Sequence, residues 1–452
     1  MTTVRLPAPA TRPDSVSPKV VARTGLYAVL VANAVVVTVL FVQAGLSANA
    51  LILVGRLAGL YGALLMAFQL LLVARLPWFD RRLGMDRLTS WHRWVGFSLL
   101  WMLSAHAVFI TFGYAGLASL PPVDELVSLA TTVQGVLRAI VALVLVLLVG
   151  AVSARFARRR MAYETWHFVH LYSYLAVVLA FSHQIGVGTT FTASPVATAY
   201  WWGVWGFALG SVFAGRLVLP LWRNLRHRLR VAAVVPESDD VVSIYITGRD
   251  LHRLPARAGQ FFLWRFLTRD RWWQANPFSL SAAPDGRHLR LTAKALGAGS
   301  ASLKALRPGT RVFAEGPYGA FTTLHRTRPD TLLVAGGVGI TPVRALLEEL
   351  RGHVVVIYRV SRPQDAVLLH EMRGLARARG AVLHVVTGPS NARTPYGPPL
   401  GPHAISRAVP DVRDRDVFVC GPPGMTSAVL RSMRELGVPK QQVHAERFSL
   451  AS

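Results

Sequence analysis

Six apolar stretches occupy the first half of the chain, at roughly residues 25–46, 51–75, 91–113, 133–154, 164–185 and 197–220. Each holds about 20 residues, enough at ~1.5 Å per residue to cross a ~30 Å hydrocarbon layer. Lipid offers no partner to backbone N–H and C=O groups, so segments of this kind span as helices. Composition agrees. Hydrophobic residues make up 52% of the 452 and mean hydropathy is +0.38, yet the surplus ends near residue 220. The remainder reads as an ordinary soluble α/β sequence.

The formal charge of +26 is mostly arginine, and the basic residues gather at the ends of the apolar stretches. That placement fits a membrane-surface bias and argues against nucleic acid as a partner. One set of loops holds Arg75, Arg81, Arg82 and Arg87, then Arg155, Arg158, Arg159 and Arg160, then Arg223, Arg226, Arg228 and Arg230. The other set, around 46–50, 114–132 and 186–196, has no lysine or arginine. The positive-inside rule therefore places both termini on the cytoplasmic side of a multi-pass cell-membrane protein. Residues 1–22, with four prolines in the first twenty, read as a disordered cytoplasmic tail rather than a signal peptide. A single cysteine, Cys420, excludes an internal disulfide, Fe–S ligation and a Cys-rich zinc site.

After Arg230 the pattern changes to short β-branched runs, Val231–Val235, Val241–Thr247, Gln260–Phe266 and Leu289–Ala293, separated by turn residues. These predict an antiparallel β-barrel. From about Thr327 strands alternate with helices, which predicts an α/β doubly wound domain. The expected organisation is a tail over 1–22, a six-helix transmembrane domain over 23–222, the barrel over 228–325 and the α/β domain over 326–452.

Histidine is costly in hydrocarbon and marks a functional candidate there. His92 and His106 lie 14 residues apart on the third stretch, and His170 and His183 lie 13 apart on the fifth. At ~1.5 Å per residue each pair is separated by about 20 Å along its helix. Two helices, each offering an upper and a lower imidazole, make two bis-histidine sites, the ligand set of electron-transfer haem. Fourteen residues return close to one helix face, but thirteen do not, so the fifth helix needs a distortion or tilt. His167 competes with His170 for the inner position. Arg56 and Arg138 stand toward the outer ends of their stretches, where they meet haem propionates or snorkel to the interface.

The soluble half carries four ordered signals. Asn276, Pro277, Phe278 and Ser279 would set an aromatic ring and a hydroxyl against a flavin. Lys294, Gly297, Gly299 and Ser300 precede a helix suited to a pyrophosphate. Gly336, Gly337 and Gly339, followed by Thr341 and Pro342, form a strand–turn–helix glycine turn of the kind that lets backbone approach phosphate. Cys420 and Gly421 repeat the strand-then-turn arrangement. Arg359 and Arg362 follow the second strand of the α/β domain, where two guanidinium groups favour NADPH over NADH.

In this order the motifs resemble the ferredoxin–NADP reductase family. Together with the paired histidines they resemble the ferric reductase and NADPH oxidase superfamily, over about residue 50 to Phe448. The resemblance implies FAD contacts at Phe278 and Ser279, and a nicotinamide-nucleotide turn at Gly336, Gly337, Gly339, Thr341 and Pro342. It implies that Cys420 and Gly421 flank the nicotinamide, and that Phe448 covers the flavin until nicotinamide displaces it. Where the family often has His or Arg, this chain has Asn276, which puts the flavin phosphate contact in doubt. The expected cofactors are FAD, two haem b and NADPH, with NADH open. The expected activity is transmembrane electron transfer to a ferric chelate or to oxygen, with a quinone or protein acceptor as a lesser alternative and no obligate protein partner. A transporter or sensor with a regulatory nucleotide domain is the rival class.

Overall fold

The computed structural model of the chain describes residues 18–154, 160–161, 163–295, 297–389 and 397–447. Most of the predicted tail, Arg155, Arg158, Arg159 and Phe448 lie outside the described residues. Two compact units emerge: Leu26–Asp80 with Met85–Trp222, and the residues from Arg223 onward with the short segment Arg81–Gly84.

The first unit contains six long apolar helices: α1 (Pro18–Gln43), α2 (Ala50–Val73), α3 (Met85–Ala118), α4 (Val136–Ser153), α5 (Tyr163–Val187) and α6 (Pro195–Phe213). All six are long and apolar enough to cross a membrane. Their starts follow from local chemistry. The Asn49 side chain accepts hydrogen bonds from the Leu51 and Ile52 amides at 3.0 and 3.2 Å, and Ser194 accepts one from Ala197 at 3.1 Å. Both satisfy amides that a helix leaves without partners. Small residues let α2 and α3 approach closely. A Cβ on Gly113 would lie 2.6 Å from Ile52, and one on Gly55 2.9 Å from Ile110. At its end α6 opens into a π-turn, Ala214–Val218. A Cβ on Gly215 would stand 2.0 Å from the Ala74 carbonyl oxygen, and Arg216 Nε donates to Val73 O at 2.8 Å. Two features depart from the sequence reading. The third helix extends beyond its apolar stretch through Met85–Ser90 and on to Ala118. A further helix, Pro122–Thr132, occupies the arginine-free loop.

The second unit begins with two three-stranded antiparallel sheets, built from β1 (Arg230–Ser238), β2 (Val241–Thr247), β3 (Phe261–Phe266), β4 (Asn276–Ser279), β5 (His288–Lys294) and β6 (Val312–Tyr318). Their orders are β1-β2-β5 and β4-β3-β6. Bridges Arg230↔Arg311 and Leu280↔Leu291 join the edges into a barrel. Period-two alternation fills its interior with Phe262, Trp264, Phe266, Ile244, Ile246 and Leu291.

Next come β7 (Thr331–Gly336), β8 (Val354–Arg359), β9 (Val382–Val386), β10 (Asp416–Gly421) and β11 (Val443–Arg447), all parallel in the order β11-β10-β7-β8-β9. Helices α7 (Ile340–Glu349) and α8 (Leu369–Arg379) cover one face, while α9 (Pro402–Ala408) and α10 (Pro423–Glu435) cover the other. The order reverses between β7 and β10, so the ligand crevice of a doubly wound sheet falls at Gly336 and Gly421.

A buried ionic network joins barrel and sheet. Arg290 on β5, 4% exposed, makes two hydrogen bonds to Glu371 on α8 at 2.9 and 3.0 Å, and Arg344 on α7 adds a third at 2.6 Å. Burial alone would push the Glu371 carboxyl up, but the hydrogen bond and charge of Arg290, with the charge of Arg344, hold it below the usual value. A depressed carboxyl gives stability that is present above its unfolded value of about 4.3 and is lost as pH falls through the folded one. Allowing for its partial exposure, the charged bonds contribute about 2 kcal/mol, or roughly 30-fold in a local opening equilibrium. In Glu371→Gln the β5 amides should therefore exchange roughly 30-fold faster at neutral pH. The gap should narrow as pH falls below about 4.3 toward the depressed folded value, and hydrogen-exchange mass spectrometry of both proteins at neutral and acidic pH decides it.

Candidate functional site

Histidines and glycines dominate the membrane unit's polar interior. The rings of His92 on α3 and His170 on α5 stand 6.0 Å apart between centroids, with planes inclined by 66°. Two imidazoles sharing one metal ion, each with a bond of about 2 Å, would have centroids about 6 Å apart. His170 Nδ1 lies 3.2 Å from Ser153 Oγ, which also accepts from Trp166 Nε1 at 3.2 Å. Trp166 packs on the His170 ring at 5.1 Å. His167 is exposed, and its ring lies 6.3 Å from that of Trp166.

About 20 Å further along α3, His106 Nδ1 is 2.8 Å from the Gly55 carbonyl oxygen. A carbonyl only accepts, so the proton resides on Nδ1 and Nε2 keeps its lone pair. Gly59 makes room for this ring, since a Cβ there would come within 2.6 Å of Nδ1. On α5, His183 lies beside the Gly135 turn, with Arg138 at the same turn. Nδ1 of His92 and Nδ1 of His183 are buried without a hydrogen-bond partner among the described residues. Arg56 donates to Gly45 O at 3.2 Å, while its Nε and second amino group are buried with no partner among those residues.

α3 lies against α2, and α5 lies against α4. In the most apolar window of α3 and of α5 only 6% of residues are buried, against 56% in α2. Among the described residues no three His, Cys, Asp or Glu side chains converge on a metal position. The donors come in twos, which leaves four positions of an octahedral iron to a porphyrin. The His92–His170 separation and the Nδ1-protonated tautomer of His106 fit haem ligation through Nε2.

In the barrel, Asn276, Pro277, Phe278 and Ser279 form β4 itself. Ser279 is 3% exposed and its Oγ has no partner among the described residues, while Phe278 is half-buried above the core. A buried hydroxyl left unpaired at this motif suits a flavin contact. Lys294 pairs with Asp240 at 3.2 Å and lines the nucleotide crevice. Beyond it, the helix expected after Gly297 is a single turn, Ala298–Ala301, so its dipole contributes little. Gly297 N donates to Ser300 Oγ at 3.2 Å.

The crevice at the reversal point holds about 700 Å³ and is lined by Gly336, Gly337, Arg359, Ser361 and Arg431, among others. Its glycines serve two purposes. A Cβ on Gly339 would lie 2.3 Å from the Cys420 carbonyl oxygen, and one on Gly421 would lie 2.5 Å from Met425 and 3.1 Å from Gly336. These residues let the β7 and β10 turns pack against each other. Gly337 has open space around its Cα and a φ of +52°, so it is the glycine that faces a ligand. Thr341 Oγ1 donates to Val338 O at 2.9 Å, Pro342 is buried in the first turn of α7, and Cys420 is wholly buried. Arg359 lines the crevice, but its guanidinium donates to the carbonyls of Val360, Val386 and Pro389. Arg362 is exposed and pairs with Asp365. Sequence reasoning missed Ser361, Arg431 and Ser153. Arg431 stands two turns into α10, and Ser153 reaches His170 from a different helix, so neither belongs to a contiguous motif.

A family profile described as "Ferric reductase like transmembrane component" matches residues 58–181, and one described as "Oxidoreductase NAD-binding domain" matches 333–431. The chain joins a ferric reductase-like transmembrane component to an oxidoreductase region of the ferredoxin–NADP reductase family. It is 34% identical over 187 residues to ferredoxin–NADP reductase B of Sorangium cellulosum, covering 38% of this chain and 77% of that one. It is 29% identical over 244 residues to an NADPH oxidoreductase of Mycobacterium tuberculosis, and 30% identical over 241 to a flavohemoprotein of Pseudomonas putida. Those matches cover 52% and 51% of this chain but only 63% and 61% of the relatives. The chain is a multi-pass membrane oxidoreductase of the NAD(P)H-dependent, FAD-binding type.

Gly339→Ala should lower both thermal stability and NADPH affinity by at least tenfold in Kd, because its Cβ meets backbone. Gly337→Ala meets no protein atom, so it should cost the fold only the left-handed strain of about 1 kcal/mol while weakening nucleotide binding, because its Cβ enters the crevice. Nucleotide titration and melting curves of the two variants test this assignment, and equal losses of thermal stability would contradict it.

Proposed function

We propose that this chain carries electrons from cytoplasmic NADPH, by way of FAD and two b-type haems, to an acceptor on the outer face of the bilayer. The observation that carries the reading is the His92–His170 pair at 6.0 Å, with His106 and His183 about 20 Å further along the same two helices. FAD takes hydride as two electrons and gives them up singly, and haem iron accepts one at a time.

The chain's own residues do the positioning. His92 and His170 hold one haem, and His106 and His183 hold the other. The Gly55 carbonyl keeps His106 in the tautomer whose Nε2 is available, and Ser153 holds the His170 ring. Arg56 and Arg138 meet the propionates of the outer haem. Phe278 and Ser279 contact the isoalloxazine, and Phe448 shields it until nicotinamide arrives. Gly337 admits the nucleotide phosphates. Arg362 and Arg431 favour NADPH, in keeping with relatives named for NADP and NADPH. The arginine-rich loops set the reductase domain in the cytoplasm.

The acceptor is a ferric chelate or oxygen. Of the two acids in the loop 114–132, Asp124 and Glu125, Glu125 is buried. That leaves one carboxylate, too few for an iron site, and favours a small acceptor that approaches without ligation.

An anaerobic absorbance spectrum of the detergent-purified protein with haem and FAD, before and after NADPH, tests the route. Reduced b-type bands should appear and should need FAD. Replacing either histidine of one pair by Ala should remove about half the haem, and replacing one from each pair should remove nearly all. Air and a ferric chelate, admitted in turn, then rank the acceptors. Haem that is absent, or present and never reduced, would move the chain to the transporter or sensor class.

A further inference from the structure

The loop between β3 and β4 carries two adjacent tryptophans in the open. Trp272 and Trp273 are 59% and 56% exposed, and their rings meet edge to face at 5.9 Å and 90°. Large exposed aromatics on a soluble domain cost hydrophobic free energy and mark an interaction site. What surrounds them identifies the ligand. The preceding residue, Arg271, is largely buried at 13% exposure and donates from NH1 to Ser302 Oγ at 2.5 Å, and Ser302 donates in turn to Gly299 O at 2.8 Å. The following residue, Gln274, would lie 3.4 Å from a Cβ on Gly299, and Asn276 would lie 4.0 Å from it. The tryptophan loop and the glycine segment Gly297–Ser302 therefore form one patch. β4, with its unpaired Ser279 hydroxyl, leads directly out of it.

At position 276, where the family often supplies a cation for the flavin phosphates, this chain has a neutral amide. Arg271 brings a guanidinium to the same segment from five residues upstream. Its Nε and NH2 are held by Asp270 at 3.1 and 2.7 Å, which fixes the plane of the fork and leaves NH1 turned toward the glycine segment. A planar fork held this way suits a phosphate oxygen. Beyond a pyrophosphate bound there, the next group of FAD is adenosine, and a purine is the ligand that an exposed indole face accepts by stacking.

Building on the FAD reading of the barrel, we infer that Arg271 is this chain's flavin-pyrophosphate cation and that Trp272 and Trp273 are a platform for the FAD adenine. The loop thereby selects FAD over FMN, which has the same isoalloxazine and one phosphate but no adenine.

The test is flavin titration of the full-length, detergent-solubilised protein stripped of flavin, followed by flavin fluorescence, with FAD and FMN as probes. Wild type should bind FAD at least tenfold more tightly than FMN. The double variant Trp272→Ala/Trp273→Ala should lose about tenfold in FAD affinity, the effect of removing a stacking platform, with FMN unchanged. Trp272→Phe/Trp273→Phe should keep most of the preference, because a phenyl face still stacks. Arg271→Gln should weaken both flavins, since both carry phosphate. Wild-type FAD affinity in the double Ala variant would overturn the platform, and so would an equal loss for FAD and FMN, which marks damage to the barrel. FMN binding that Arg271→Gln leaves untouched would overturn the phosphate role. A wild-type chain that takes up neither flavin would remove the FAD reading itself, a result distinct from either.

Discussion

Hydrocarbon supplies no hydrogen bonds, and this condition organises the membrane half of the molecule. Each polar group inside the six helices needs a partner from the chain or from something the chain holds. The backbone meets that demand by being helical, with Asn49 and Ser194 closing two of the helix starts. His106 meets it through the Gly55 carbonyl and His170 through Ser153. A ring nitrogen on His92 and on His183, two nitrogens of Arg56, the amide oxygens of Gln69 and Gln184 and the indole nitrogens of Trp201 and Trp205 stay buried without a hydrogen-bond partner among the described residues.

The same condition explains why the helices pack as they do. α2 is the most buried, and glycines at 55, 59 and 113 bring α3 against it. The close approach of α2 and α3 is set by residue size along both helices.

Much of this organisation is legible in the order of residues because the signals are local. Twenty-residue apolar runs, period-two strands and strand–glycine–helix turns each depend on neighbours in sequence, and the observed barrel and parallel sheet follow them. The helix Pro122–Thr132 escaped because it sits in a loop whose composition, rather than its period, had been read. The site was harder to see, since its support is non-local. Ser153 is linked to His170 across two helices, Arg431 reaches the crevice from α10, and Arg359 has its donors taken by backbone that no spacing rule foresees. The 13-residue spacing of His170 and His183 looked unfavourable on an ideal helix. α5 is nonetheless an unbroken α-helix from which His170 reaches His92.

The glycines at the crests of β7 and β10 have a bearing on how such a protein changes over time. Gly339 and Gly421 are fixed by backbone pressing on backbone, so substitution there is closed off whatever nucleotide is used. The residues free to vary stand on the rim, at Ser361, Asp365, the Pro398–Pro402 loop and Arg431. Inheritance can therefore retune the choice of coenzyme by altering the rim alone, while the turn that grips its phosphates is passed on unchanged.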